Sequence, residues 1–157
     1  MPIYVNQVEI TDDEVHREMQ YHPAASVEEA RHYAAQALVI RQLLQQEAKE
    51  KRVFANETGT ASQDVVDDAI EVLLEQEVSV PEADEVTCAR YYEQNMERFV
   101  DQNTGNVLPF ELVELHIRNY LHTRSMRTGI SQYIKVLANK ARIAGFDLEA
   151  SDSPLVQ

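Results

Sequence analysis

The chain has 157 residues, 44% of them hydrophobic and 26% charged, a balance that fits one globular domain around one core and not a disordered chain. A formal charge of −13 excludes general nucleic-acid binding, which needs a basic face, and disfavours docking to an anionic membrane. Four glycines and five prolines are too few for a fold of many tight turns, and the single cysteine, Cys88, precludes an intramolecular disulfide.

The segment Ile3–Ile10 alternates and is rich in β-branched residues, which predicts a short strand. Thr11-Asp-Asp-Glu14 is a capping box, in which the Thr hydroxyl accepts from the N–H three residues on; a short helix follows to about Tyr21, ahead of Pro23. Ser26-Val-Glu-Glu29 is a second such box. Val27, Ala30, Ala34, Ala37, Leu38, Leu44 and Ala48 recur behind it at helical spacing and predict a long helix to about Arg52. A polar loop, Asn56–Ser62, leads to a third helix capped by Ser62 with Val65, Val66, Ala69, Ile70, Leu73 and Leu74 as its stripe. Asp84 caps a fourth helix carrying Val86, Cys88, Tyr91, Tyr92, Met96 and Phe99, and Val100–Pro109 is a turn-rich connector.

From Phe110 the pattern is helical to about Ala144, through Val113, Ile117, Tyr120, Leu121, Ile130, Ile134, Leu137 and Ala141. At ~1.5 Å per residue that helix is roughly 50 Å long, more than a compact domain of this size needs, so part of it should reach a partner or kink at Gly129. Phe146-Asp-Leu-Glu149 is long enough for a second short strand that pairs with the first, and residues 151–157 read as a flexible tail. Residues 110–145 carry Arg118, Arg124, Arg127, Lys135, Lys140 and Arg142 against only Glu111 and Glu114, so a basic last helix faces an acidic remainder. The N-terminus lacks a basic flank leading into an apolar run. No signal peptide or membrane span is therefore expected, and the default location is cytoplasmic.

Catalytic motifs are sparse. There is no Gly-rich phosphate loop, no G-x-S-x-G and no cysteine pair, and Cys88 on an apolar helix face reads as packing. Asp13-x-x-His16 and Glu29-x-x-His32 have the i, i+3 carboxylate/His spacing of a helical di-metal site. The two further carboxylates such a site needs have no place in the apolar stripes, so neither metal nor cofactor is expected. Tyr91, Tyr92, Phe99, Phe110, Tyr120, Met126 and Tyr133 gather late in the chain. Most suit a core, and together they are also candidates for an adaptable apolar surface that binds peptides.

These segments resemble the parvulin-type folding factors. The residues that carry the likeness are Ile3–Glu14, Met19–Ala30, Val80-Pro-Glu-Ala with Tyr91-Tyr-Glu-Gln-Asn-Met-Glu-Arg-Phe99, Pro109-Phe-Glu-Leu-Val113 and Ser131–Leu148. Cytoplasmic parvulins of nitrogenase or nitrate-reductase maturation are the nearer likeness, and the N-terminal chaperone domain of the SurA type is the more distant one. In that family the isomerase domain sits between the Tyr-Tyr helix and the last helix. Here the interval is Val100–Pro109, far short of the ~50 residues a domain takes, so the catalytic residues are missing and no isomerase activity is implied. The likeness implies a chaperone-like module that holds an unfolded or maturing client protein.

The expectation is thus an all-α fold: one domain over residues 1–150 with about five helices, the long last helix packed on the N-terminal ones, and a minimal pairing of the two terminal segments. Its partner is a client polypeptide. The alternative is an adaptor that self-associates as a homodimer through the last helix.

Overall fold

The structure is a computed structural model that describes residues 2–53 and 62–148. The expected loop over 56–62 and the expected tail over 151–157 therefore lie, except for Ser62, outside the described residues. The fold is mostly helical, with five α-helices and a small three-stranded sheet. It forms two compact units. The larger takes the chain up to Val78 together with residues from Ile130 onward, and the smaller spans Ser79–Gly129. Among the described residues no helix is long and apolar enough to cross a membrane.

The first segment is a hairpin, not one strand. β1 (Ile3–Val5) and β2 (Val8–Ile10) pair antiparallel with Ile3 opposite Ile10 and Val5 opposite Val8. Asn6 and Gln7 form the two-residue turn, both with left-handed backbone (φ 49° and 72°), the twist that a two-residue hairpin requires. The third strand, β3 (Ile143–Ala144), pairs antiparallel with β1 on its other edge, Tyr4 opposite Ala144 and Val5 opposite Ile143. The terminal segments do pair, but through Ile143–Ala144. Phe146 follows the strand because Gly145 (φ 84°) turns the chain away.

The helices start where their caps lie. α1 (Asp12–Glu18) begins with the Thr11 hydroxyl accepting from the Glu14 N–H at 3.1 Å, and a 3-10 turn over Met19–Tyr21 extends it. α2 (Val27–Glu50) begins with Ser26 accepting from the Glu29 N–H at 3.1 Å. It ends with Arg52 left-handed (φ 58°), the Val53 N–H on the Ala48 carbonyl and the Arg52 N–H on that of Lys49, a Schellman ending with arginine where glycine is usual. α3 (Gln63–Glu77) is capped by Ser62 and tied to α2 by the Arg41–Asp67 and Lys51–Glu77 ion pairs. The core of the larger unit joins Ile3, Val5 and Ile10 of the sheet, Ala34, Ala35, Val39, Leu43 and Ala48 of α2 and Leu73 of α3. Ile134 and Leu137, from the end of α5 (Phe110–Lys140), complete it. Ala34 and Ala48 of the expected stripe are fully buried, as is nearly all of Ala35 beside them.

In the smaller unit, α4 (Glu85–Gln94) is capped by Asp84 and followed by a 3-10 turn over Met96–Phe99. The connector after it is a tight loop. Val100 bridges Val107, the Asp101 N–H donates to the Asn106 carbonyl, and Gly105 (φ 73°) makes the reversal. α5 follows and is helical through Gly129. Cys88, Phe99, Val113, Ile117 and Leu121 form this unit's own core.

Gly145 is the position with least latitude. Its backbone is left-handed, and an added Cβ would lie 2.6 Å from the Pro2 carbonyl oxygen. Gly145→Ala should therefore destabilise the chain by about 2 kcal/mol, as strained φ and backbone collision do elsewhere. A urea titration followed by circular dichroism checks this, and an unchanged midpoint would contradict the placement.

Candidate functional site

Of the seven aromatic and methionine candidates, the smaller unit brings five into one cluster. α4 supplies Tyr91 and Tyr92, the turn after it Phe99, and α5 Phe110 and Tyr120. Tyr92 stacks on Phe99 at 5.6 Å between centroids and meets Phe110 edge-on at 5.5 Å. Its hydroxyl donates to the Leu108 carbonyl at 2.6 Å, while the Leu108 N–H donates to the Phe99 carbonyl at 2.7 Å. Tyr92 thus fixes the loop between α4 and α5. Phe99 is only 8% exposed, so it packs this unit and offers a ligand little area.

Tyr91 and Tyr120 form the outer half. Their rings lie 5.5 Å apart, and Tyr91 also meets Phe99 edge-on at 6.3 Å. The Tyr91 hydroxyl accepts from Arg98 Nη1 at 3.1 Å, and the Arg124 guanidinium stands 5.7 Å from the centre of the Tyr120 ring. Tyr120 is 41% exposed. Its phenol is held below the usual tyrosine value, first by the hydrogen bond from Tyr91 and then by Arg124. Met126 is half-buried in the smaller unit, and Tyr133 belongs to the larger one.

Among the described residues, the two most accessible leucines are ones that the helical stripe of α5 leaves out. Leu112 is 72% exposed and Leu115 69%, one turn apart on α5. The buried residues of that stretch, Val113, Ile117 and Leu121, follow an i, i+4, i+8 row. Leu112 and Leu115 fall outside that row, a signal that was present in the sequence as apolar residues off the core stripe.

The suspected metal pairs lie in the larger unit. Asp13 and His16 of α1 and His32 of α2 line one open cleft of about 750 Å³, together with Asp12, Glu28 and Arg31. The floor is apolar (Ile3, Val15, Ala35), and Phe146 lies against the His32 ring at 5.3 Å. Glu29 is not among the lining residues; its N–H is spent on the Ser26 cap. Among the described residues, no three His, Cys, Asp or Glu side chains are placed to hold a metal ion. Cys88 is fully buried, and burial raises its thiol pKa above the ordinary value, so it is poorly suited to act as a nucleophile.

Comparison with protein-family models, curated proteins and solved structures gives no match to this chain.

Tyr133 packs against the core of the larger unit with its hydroxyl buried and without a hydrogen-bond partner among the described residues. Burial, then the nearby carboxylates of Glu47 and Glu77, push its pKa up to about 12. Such an orphaned hydroxyl costs about 1 kcal/mol or more, so Tyr133→Phe should stabilise the chain by about that amount at neutral pH. The folded state favours the neutral phenol, while the unfolded phenol ionises near 10. Stability fully present below pH 10 is therefore lost as pH rises through about 12. Urea midpoints at pH 8 and pH 11 should show the variant's advantage growing with pH, and a variant weaker than wild type at pH 8 would mean that the hydroxyl has a partner.

Proposed function

We propose that this chain holds other polypeptides, as a chaperone-like module akin to the flanking half of the parvulin folding factors and without an isomerase module of its own. The observation that carries this reading is the pair Leu112 and Leu115, 72% and 69% exposed on α5, the helix that also supplies Phe110 and Tyr120. Large apolar side chains one turn apart and turned away from the local core are what an apolar client segment would cover. Further support comes from the tight Val100–Val107 loop, which leaves no room for a catalytic insert between α4 and α5. On this reading the protein works in the cytoplasm and needs neither nucleotide nor metal.

Magnitudes agree with a weak, tolerant grip. Covering two leucines is worth about 3–6 kcal/mol before the cost of association, which corresponds to dissociation constants no tighter than roughly the tens of micromolar. A holder of many clients needs that range, because tight binding demands a fitted pocket.

The same leucine pair favours one second reading, an adaptor in which two copies of the chain associate through α5. Analytical ultracentrifugation separates the two: a concentration-independent monomer supports holding, and a tight dimer supports the adaptor. The direct test is suppression of aggregation of a chemically unfolded test protein. Leu112→Ser with Leu115→Ser should abolish the effect while stability stays within about 0.5 kcal/mol of wild type, as for surface substitutions. Wild-type protein that fails to slow aggregation would overturn the proposal.

A further inference from the structure

The chain is strongly acidic, yet the smaller unit gathers positive charge at one place where no carboxylate answers it. Of the arginines in Ser79–Gly129, Arg118 pairs with Glu114 at 3.3 Å, and Arg90 and Arg118 both act on Asp84. Arg98 and Arg124 differ. Neither forms an ion pair among the described residues, and both turn to phenols: Arg98 donates to the Tyr91 hydroxyl at 3.1 Å, and Arg124 stands 5.7 Å from the Tyr120 ring centre. The two tyrosine rings are 5.5 Å apart, and both Arg98 and Arg124 act on the Tyr120 phenol. Arg127 follows Tyr120 and Arg124 on the same face of α5, at i+7 and i+3.

We propose that Arg98, Arg124 and the phenols of Tyr91 and Tyr120 form an oxyanion site that takes a carboxylate or phosphate group carried by a bound polypeptide. Each guanidinium has five N–H donors in a planar fork, far more than one phenol can accept, and the fork matches the two oxygens of a carboxylate or the face of a phosphate. The Tyr120 phenol is held below its ordinary value first by the hydrogen bond from Tyr91 and then by that from Arg124, so donors already converge on this hydroxyl. The chain's overall charge of −13 repels anions at long range, but salt screens that field beyond about 8–10 Å, so short-range donors decide whether an anion stays. The inference rests on the polypeptide-holding reading and deepens it: a client would be gripped by its apolar residues on α5 and oriented by one acidic group on this cluster.

The test is a calorimetric titration of the full chain with three probes: inorganic phosphate, an apolar peptide with a free C-terminal carboxylate, and the same peptide amidated. Saturable binding of the acid peptide, at least tenfold tighter than of the amide, is expected. Arg98→Gln with Arg124→Gln should erase that difference, and Arg90→Gln should leave it intact. Equal binding of acid and amide, or undiminished preference in the double variant, overturns the site. Phosphate binding that depends on both arginines, with the peptides indifferent to their termini, overturns the polypeptide source and leaves free phosphate as the ligand. The two proposals fail separately: aggregation suppressed without any acid–amide difference removes the oxyanion site alone, whereas an acid preference without suppression removes the holding role alone.

Discussion

The larger unit depends on what happens at the turn between β1 and β2. Asn6 is bound from three directions: its N–H donates to the Arg142 carbonyl at 2.8 Å, its Oδ1 accepts from the Arg142 N–H at 2.8 Å, and its Nδ2 donates to Gln46 at 2.9 Å. Gln46 in turn donates to the Val5 carbonyl at 3.0 Å. This clasp joins the hairpin, the C-terminal end of α2 and the chain after α5, so one short side chain fixes where segments more than a hundred residues apart meet. It also explains why β1 is the central strand and why Val5 is fully buried although its strand has only three residues. Such short strands are not independently stable, and a hydrogen-bonded clasp with a helix packed beneath supplies what their length cannot.

What could be read in the sequence was what is decided locally. Caps at Thr11, Ser26, Ser62 and Asp84 all accept the N–H three residues on, because a cap needs only its own turn. The hairpin was not legible, because the usual sign is Asn-Gly and here Gln7 holds the second left-handed position. The site of β3 was not legible either. Its register is fixed by Asn6 and by the contact of Gly145 with Pro2, both of them tertiary. The helical stripe of α5 marks core residues only, and Leu112 and Leu115 lie off the row of Val113, Ile117 and Leu121, so a core periodicity does not single them out.

The candidate site divides in the same way. That Tyr92, Phe99 and Phe110 would meet follows from their placement at the end of α4, in the turn after it and at the start of α5. Tyr91 meets Tyr120, about three turns into α5, through the packing of the two helices. Which of them would be spent on packing does not follow, because it depends on where one hydroxyl finds a carbonyl. Tyr92 finds the Leu108 carbonyl and ties the loop, whereas the Tyr91 hydroxyl accepts from Arg98. Both rings are half-buried against the same core and both meet Phe99, so the two differ in what their hydroxyls bind and not in burial.

The charge pattern carries the last step. A basic final helix in an acidic chain is accounted for in part by internal neutralisation: Lys140 approaches Glu47 at 3.9 Å, and Arg118 approaches Glu114 at 3.3 Å. Glu47 is buried while Lys140 is exposed, so that pair offsets a buried carboxylate, whereas the half-buried Arg118–Glu114 pair lies within one turn of α5. Arg98 and Arg124 lie outside even that arrangement: Arg98 donates to the Tyr91 hydroxyl and Arg124 stands over the Tyr120 ring, and neither contact cancels the positive charge. A guanidinium left unneutralised keeps donors for an external anion. On the proposed reading, the exposed leucines of α5 would supply unselective attraction and these arginines direction. An apolar segment bearing an acidic group would then be favoured over an apolar segment alone without a fitted pocket.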